Sequence, residues 1–340
     1  MAASIPRTAI PRGEGTLARF ARRLARARPV RSIGALEGTP AMVFGMVEDV
    51  ATDEAGRFFV LDSRYNNVRI HDASGTPVGS FSGPGRGPGE LVSPEALERD
   101  RQGRIVVADR YNVIKFFAPR GESFALAGAI AVRFVPEDFC LLGDRIYVQG
   151  IAAAGMIHAF TAAGTPIRSF GQPYRSANWL VRNQLSDGPI ACSEEAGVVV
   201  TMFKYLPIVY GYSAEGRLLW ASRLEDFRPI RIVEERDERG VPEVGFDGGE
   251  PYDLAVSLQG APQGLVVVQT ARYTPESIRN GREPAVFDTY LLSAATGQGV
   301  YVGNGLPRIS AVSRERVLAG VTDPFPQVRI LALPAEEVVP

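Results

Sequence analysis

The chain has 340 residues, of which 45% are hydrophobic and 22% are charged, and its formal net charge is −1. This composition allows a large buried core, and the balanced charge argues against a general attraction to nucleic acid, which requires clustered Lys and Arg that release counterions. The sequence contains no run of about 18 apolar residues that would suggest a membrane span.

The first predicted element is an amphipathic helix in residues 16–28, TLARFARRLARAR. Phe20 and Leu24 share one face and the arginines lie largely on another. Such a helix could lie on an anionic membrane, dock on the underside of a folded domain, or belong to a solvated extension. The arginines interrupt any secretory signal, so the sequence as written predicts a cytoplasmic protein, and an exported or periplasmic one if its true N-terminus differs. We expect an arginine-rich extension, residues 1–28, before a domain that spans residues 29–340.

A repeated strand pattern follows this extension. The segment GRFFVLDSRYNNVRIHDASG, from Gly56 to Gly75, recurs as GRIVVADRYNVIKFFAPRG, from Gly103 to Gly121. Further copies end at Gly164 and Gly216, and an outer strand recurs as TPVGSF and TPIRSF. Each copy reads as a short apolar strand, a polar turn, a second strand and a glycine turn, which predicts a ring of repeated β-sheets.

The end of the chain completes the repeat count at six. The fifth unit keeps the strand GLVVVQT from Gly264, carries an insertion through Arg282 and resumes at AVFDTYLLSAATG. The sixth unit shows three strands and stops near Leu333, so its missing outer strand is expected from the segment that contains Val30 to Ile33. Pairing the two ends of the chain leaves no exposed sheet edge at the ring join. The sequence therefore predicts an all-β fold, a six-bladed β-propeller whose last blade is closed by an N-terminal strand.

The strand pairs VLDSRYNNVRI and VADRYNVIKF, with the connector GPGRGPGELVSPE between them, resemble NHL repeats of bacterial proteins. The resemblance is strongest over residues 44–121 and weakens towards the C-terminus. It implies a six-bladed propeller. Because the family includes binding modules, lyases and RNA-binding scaffolds, the resemblance leaves the function open.

A charged residue recurs near the start of the first strand of each predicted blade. The first strands of a propeller line its central channel, so these side chains should converge near one mouth. The candidate ligand-binding residues are Glu48, Glu95, Glu137, Asp187, Asp253 and Arg308. Clustered carboxylates need a cation, a shared proton or a basic partner, and Arg308 is one candidate partner. The alternatives are a polar-ligand or Ca²⁺ site, with Glu48, Glu95 and Glu137 as metal ligands, or hydrated carboxylates that cap turns.

The two histidines are predicted to have structural positions. In the aligned repeats His71 falls in a column of bulky rings, which predicts a core position between blades. His158 aligns with Arg69 and Lys115 on the alternate side of the strand, which predicts a face towards solvent. Neither histidine is expected to act as a base.

The cysteines and two recurring aspartates also permit structural interpretations. Cys140 and Cys192 lack CxxC spacing, and the sequence leaves open two free core thiols or one disulfide. Asp62 and Asp109 follow the second strand in successive repeats, where we expect them to accept hydrogen bonds from turn amides.

Two insertions interrupt the later repeats. The first, from Glu234 to Asp253, is acidic and glycine-rich, and the second, from Arg272 to Pro284, is basic and polar. Long loops on a rigid scaffold commonly carry binding function. The two insertions could meet as a charge-paired lid or remain separate surface loops.

Without a visible catalytic motif, the sequence favours a non-enzymatic binding scaffold that uses one propeller face for a protein or a small polar ligand. The alternative is a calcium-dependent lactonase or esterase-like hydrolase, similar to gluconolactonase and paraoxonase propellers, whose channel-mouth carboxylates hold the ion that polarises the carbonyl. An RNA-binding propeller needs a basic face, and the acidic strand starts argue against it. Ca²⁺ is the one candidate cofactor.

Overall fold

The computed structural model describes residues 3–236, 238–240, 242–247, 249–279 and 286–335. Within them, six sheets of four or five strands surround a channel, so the prediction of a six-bladed β-propeller is confirmed. The first strand of each blade contacts the first strands of both neighbouring blades and therefore lies innermost. Six hydrophobic clusters fill the spaces between adjacent blades, which explains why many strands read as continuous apolar runs.

The elements follow the chain from an N-terminal arm into the ring. The arm contains β1 (Ala3–Ile5), α1 (Thr16–Ala25) and β2 (Arg28–Ile33). Blade 1 contains β3 (Val47–Thr52), β4 (Phe58–Asp62), β5 (Asn67–His71) and β6 (Pro77–Phe81). Blade 2 contains β7 (Pro94–Arg99), β8 (Ile105–Asp109), β9 (Val113–Arg120) and β10 (Ser123–Ala131). Blade 3 contains β11 (Asp138–Leu142), β12 (Arg145–Ala152), β13 (Gly155–Thr161) and β14 (Pro166–Phe170).

The second half of the ring carries the excursions. After α2 (Trp179–Ser186), blade 4 contains β15 (Ile190–Ser193), β16 (Val198–Met202), β17 (Ile208–Ser213) and β18 (Leu218–Leu224). A separate hairpin contains β19 (Arg231–Arg236) and β20 (Pro242–Asp247). Blade 5 contains β21 (Tyr252–Ala261), β22 (Leu265–Tyr273), α3 (Pro275–Arg279), β23 (Phe287–Ser293) and β24 (Gly299–Leu306). Blade 6 contains β25 (Ile309–Val312), β26 (Arg316–Val321) and β27 (Gln327–Ala332).

The N-terminal arm is bound to the propeller at three places. Strand β2 pairs antiparallel with β27, which confirms the predicted closure of the last blade. Strand β1 pairs parallel with β18 and adds a fifth strand to blade 4. The apolar face of α1 packs on blades 5 and 6, where Phe20 and Leu24 are buried. Of the three alternatives for this helix, the structure shows docking on the propeller.

Asp62 and Asp109 occupy equivalent positions at the end of the second strand. Asp62 accepts hydrogen bonds from the backbone N–H of Gly45, Met46 and Tyr65, at 2.9, 3.1 and 3.3 Å. Asp109 makes the corresponding contacts in blade 2. The expected turn hydrogen bond is therefore present in both blades, and each carboxylate also fixes the connector that leads into its own blade.

His158 corrects the prediction of a solvent-facing position. His158, Arg69 and Lys115 are all buried, because connectors between blades cover this side of blades 1 to 3. Arg69 donates to the carbonyls of Pro40 and Val43, and Lys115 donates to a carbonyl of the connector between blades 1 and 2. His158 Nε2 lies 2.9 Å from the carbonyl oxygen of Gly150, and its ring stacks on a phenylalanine. Arg69 and Lys115 therefore anchor loops, whereas His158 bonds to strand β12 of its own blade and packs under a connector phenylalanine, and none of the three faces water.

His71 lies in the core between blades, as its alignment with bulky rings predicts. It is fully buried and its ring centroid is 5.6 Å from that of Phe44. Burial lowers the pKa of His71 to about 4, so the side chain is neutral near pH 7.

Cys140 and Cys192 form a disulfide between β11 and β15, the innermost strands of blades 3 and 4. Their Cα atoms are 5.4 Å apart and 52 positions separate them in sequence. Of the two alternatives that the sequence leaves open, the structure shows the bridge. In the chain-entropy description, closing a loop of this length stabilises the fold by about 4 kcal/mol.

The two insertions lie partly outside the described residues. The first forms the hairpin of β19 and β20, and the second begins with α3. Arg272 donates to Asp253 at 2.8 Å, so one ion pair joins the end of the first insertion to the start of the second. The remaining part of the predicted charge-paired lid, at residues 280–285, lies outside the described residues. No helix in the described part of the chain is long and apolar enough to cross a membrane.

Candidate functional site

The candidate site lies at one end of the central channel, on the face where the first strand of each blade begins. We call this the top face. Connectors between blades and turns between second and third strands both meet there, so α2, the β19–β20 hairpin and α3 extend from the same face. A cavity of about 370 Å³ opens at the mouth of the channel.

Five of the six residues selected from the sequence line this mouth cavity. They are Glu48, Glu95, Glu137, Asp187 and Arg308. They come from five different blades or their entering connectors, because each precedes or begins an innermost strand. The structure therefore brings together side chains that are distant in sequence.

Asp253 does not join the group at the mouth. Its side chain is buried, accepts hydrogen bonds from Arg272 at 2.8 and 3.2 Å, and accepts another from the backbone N–H of Arg228. This ion pair engages the carboxylate within blade 5, away from the cavity. Blade 5 instead lines the mouth mainly with apolar residues, including Leu254 and Val256.

The rest of the mouth is an arc of alternating charge. Arg308 lies 3.2 Å from Glu48, which is the basic partner that the sequence suggested for one of the acids. Further along the arc, Arg110 lies between Glu95 at 3.5 Å and Glu137 at 3.3 Å. The mouth thus has a charged side, from blade 6 through blades 1 to 4, and an apolar side at blade 5.

Arg110 and Lys204 are the site residues that the sequence analysis missed. Both lie in turns between the second and third strands, whereas the residues predicted from the sequence lie at the starts of first strands. Lys204 Nζ is 3.8 Å from Asp187. The sequence did contain an indication for Arg110. It directly follows Asp109, which ends a second strand, and the turn after a second strand lies on the top face.

Burial and mutual repulsion change the protonation of the mouth carboxyls. Burial and then the charge of Asp187 raise the pKa of Glu137 to about 7. Burial and then the charge of Glu48 raise the pKa of Glu95. Near neutral pH, Glu137 is therefore only partly ionised, because it is buried and its basic neighbours do not fully balance the acidic ones.

A second set of carboxyls lies deeper in the channel, at Asp49, Glu98 and Asp138. Each accepts a hydrogen bond from a backbone N–H in the first strand of the next blade, at 2.9, 3.2 and 3.0 Å. Burial raises the pKa of Asp49 to about 7 and of Asp138 to about 8, and it raises that of Glu98 well above its ordinary value. These groups connect neighbouring blades.

The residues proposed as metal ligands do not gather into one coordination sphere. Glu48, Glu95 and Glu137 each face an arginine within 3.5 Å. Among the residues that the structure describes, no group of three or more His, Cys, Asp or Glu side chains is placed to hold a metal ion. A Ca²⁺ ion at the mouth would have to displace these arginines, so the three carboxylates fit the ion poorly in this arrangement.

A second cavity of about 440 Å³ lies beside the mouth, between blade 3 and α2, and we call it the α2 cavity. It shares four charged residues with the mouth cavity: Arg110, Glu137, Asp187 and Lys204. Its other lining residues are Val135, Ile151, Trp179, Leu180, Asn183 and Gln184. The two cavities meet at the acidic pair formed by Glu137 and Asp187.

Helix α2 is well anchored although its first residue is open to solvent. The side chain of Asn178 caps the helix by accepting a hydrogen bond from the Leu180 backbone N–H at 3.0 Å. Val181 and Leu185 are buried against the base of the β19–β20 hairpin and blade 5. Trp179, in contrast, is 60% exposed at the edge of the α2 cavity.

Comparison with solved structures supports the fold. A putative exported protein from Bacteroides fragilis superposes with a TM-score of 0.60 at 10% identity, covering 98% of this chain and 99% of that one. A member of the DUF4221 family from Bacteroides vulgatus gives 0.58 at 9% identity, covering 90% and 97%. A streptogramin B lyase gives 0.52 at 10% identity, covering 89% and 97%. At these identities the likeness shows the propeller fold alone. No family model and no curated protein sequence matches the chain.

Proposed function

We propose that this protein is a non-enzymatic binding scaffold whose top face captures a ligand through a cationic group, an ammonium or a guanidinium, at the mouth of the channel. The observation that carries the proposal is the acidic pair of Glu137 and Asp187, which lies where the mouth and α2 cavities meet. Among the described residues that line the mouth, the four carboxyl groups at its rim, Glu48, Glu95, Glu137 and Asp187, face three basic side chains, and Asp49 and Asp138 lie below them. An additional cation would relieve this imbalance.

The existing ion pairs leave room for such a ligand. Arg110 is 3.3 Å from Glu137, Lys204 is 3.8 Å from Asp187, and both basic side chains are more than a third exposed. The basic partners can swing into solvent, and the pairs are long, so both ion pairs can open without a large cost. A ligand ammonium group between the two carboxylates would gain charge-assisted hydrogen bonds in a partly buried site. The apolar side of the mouth, at blade 5, would contact the hydrocarbon part of the ligand.

We also assign the blades to NHL-type repeats, and two features of the structure support the assignment. Asp62 and Asp109 anchor equivalent turns, and Asn66 and Asn112 adopt positive φ angles of 50° and 61° in those turns. Asn tolerates this left-handed conformation better than most residues, which accounts for the recurring Tyr-Asn motif. A binding role is common among repeats of this type, but the repeat alone does not identify a ligand.

The buried disulfide supports function in an oxidising compartment. Structural disulfides persist outside the cytoplasm and are rare within it. The similar Bacteroides fragilis structure is described as a putative exported protein, which agrees with this inference. We therefore propose that the protein acts outside the cytoplasm.

The calcium-dependent hydrolase is the competing proposal. It requires carboxylates that gather around one ion, whereas Glu48 and Glu95 are turned towards arginines. A thermal melt with EDTA and then with excess calcium separates the two proposals, because a ligand that binds the native state alone raises its apparent stability. A calcium-dependent rise that Glu95→Gln abolishes would favour the hydrolase.

The direct test of cation binding uses n-pentylamine and its neutral counterpart n-pentanol in isothermal titration calorimetry. We expect the amine to bind the wild-type protein, the alcohol to bind at least tenfold more weakly, and the double variant Glu137→Gln/Asp187→Asn to lose the difference. Glu54→Gln removes an acid that is 89% exposed and should leave the amine affinity unchanged. Equal affinities of the wild type and the double variant would contradict the proposal.

A further inference from the structure

We propose that the natural ligand is a short peptide segment with a basic side chain, whose cationic group lies at the mouth and whose adjoining residue occupies the α2 cavity. This inference rests on the proposed function and specifies its ligand class. It depends on the α2 cavity as a second binding site, formed by the connector between blades 3 and 4.

The two cavities are neighbours and share lining residues at the position of the proposed cation. Glu137 and Asp187 line both, so a group bound between them leaves the rest of the ligand free to extend sideways beneath α2. The α2 cavity, of about 440 Å³, lies within the range of about 300 to 1,000 Å³ that is typical of small-ligand sites. Two neighbouring cavities that share these acids favour an extended ligand over a compact one.

The lining of the α2 cavity favours an uncharged extension that carries amide groups. Beyond the four shared residues, no described lining residue is charged. The second cation of a polyamine would therefore find no carboxylate there. The side-chain amide of Asn183 can both donate and accept hydrogen bonds, as the backbone of a bound peptide requires. Gln184 already donates one hydrogen bond to the Tyr205 hydroxyl at 2.8 Å, and its amide keeps a second N–H and its carbonyl oxygen.

Trp179 supplies the apolar contact. Its indole is 60% exposed, although α2 buries the smaller side chains of Val181 and Leu185. Packing inside the protein therefore does not account for the tryptophan. Exposed indoles of this kind are frequent anchors at binding surfaces, where they bury a large apolar area and still offer an N–H donor. Together with Ile151 and Val135, Trp179 would enclose the apolar side chain next to the basic residue.

The test compares three probes by isothermal titration calorimetry: the blocked dipeptide acetyl-Lys-Leu-amide, n-pentylamine and 1,5-diaminopentane. We expect the dipeptide to bind at least tenfold more tightly than either amine. Trp179→Ala should reduce dipeptide affinity about tenfold and leave the n-pentylamine affinity unchanged. Leu218→Ala is the matched control, because Leu218 is 52% exposed on an outer strand of blade 4 and should affect neither ligand.

The possible outcomes separate this inference from the proposed function. In one outcome, n-pentylamine binds and its affinity falls in Glu137→Gln/Asp187→Asn, but the dipeptide binds no more tightly than the amine and its affinity is the same in Trp179→Ala. This outcome overturns the peptide inference and leaves the proposed function standing. Tighter binding of 1,5-diaminopentane than of the dipeptide also overturns the inference. If neither the amines nor the dipeptide bind, both proposals fail. A thermal melt of Trp179→Ala confirms that the variant is folded.

Discussion

The Asp49 carboxylate accepts a hydrogen bond from the backbone N–H of Leu97 at 2.9 Å, across the junction between blades 1 and 2. Adjacent innermost strands belong to different sheets and do not pair with each other, so a side chain satisfies the amide. Asp138 repeats the contact between blades 3 and 4 at 3.0 Å. The carboxyls of the channel are therefore part of the structure that holds the ring together.

These buried carboxyls predict that the protein loses stability as the pH rises above neutrality. Their folded-state pKa values, about 7 for Asp49 and about 8 for Asp138, exceed the unfolded value of 3.8, so the folded state retains protons that the unfolded chain has lost. The associated stability is complete below the unfolded pKa and is lost as the pH rises through the folded pKa. The raised pKa of Glu137, about 7, likewise lowers the stability of the protein as the pH rises.

Urea denaturation between pH 6.5 and 8.5 tests this prediction. His71 and His158 have the opposite effect because burial lowers their pKa values, that of His71 to about 4, but an unfolded histidine with a pKa of 6.5 is already half neutral at pH 6.5, so their combined effect above that pH is the smaller one. We expect the urea midpoint to fall over this range in the wild type and to change less in Asp49→Asn and Asp138→Asn. A midpoint that rises with pH would contradict the burial of these acids.

The blade count and the closure of the ring could be predicted from local sequence patterns. Short strands bounded by glycine turns recur in register, which gives the number of blades. The sixth unit has one strand too few, so the segment from Val30 to Ile33 had to supply it by pairing with β27. The contact of Asp62 with its turn was also predictable, because it depends on residues nearby in the chain.

What could not be predicted depends on contacts between distant segments. His158 lies on the predicted side of its strand, but Phe134 of the connector between blades 2 and 3 stacks on its ring and covers it. A repeat alignment does not show which connector lies outside a strand. Asp253 has the sequence position of a mouth residue, yet Arg272 on the adjacent strand engages its carboxylate. The pairing of Cys140 with Cys192 had a usable signal, since their separation of 52 positions is close to one blade.

Removing the disulfide should destabilise the protein substantially. The double variant Cys140→Ser/Cys192→Ser should unfold at lower urea concentration, with a loss of up to about 4 kcal/mol in the chain-entropy description. Reduced wild-type protein should show a similar loss, which provides the matched control. Two reactive thiols in the native, unreduced protein would show that the bridge is absent.

The N-terminal helix should contribute to the stability of the propeller. Leu24 is fully buried between α1 and blades 5 and 6, so Leu24→Ala should lower the free energy of unfolding by about 2 to 5 kcal/mol. Arg19→Ala, on the exposed side of the same helix, is the control and should change it little. Equal stabilities of the two variants would indicate that the helix does not dock.

The central claim is that a cationic group binds between Glu137 and Asp187, and the most direct measurement is the number of protons released on binding. Titration calorimetry with n-pentylamine at pH 7, in two buffers of different ionisation enthalpy, reports this number. A bound cation should lower the pKa of Glu137 from about 7, so this group should release up to about half a proton in the wild type, and Glu137→Gln should release clearly fewer protons. Binding without proton release in the wild type, or with the same release in Glu137→Gln, would contradict the account.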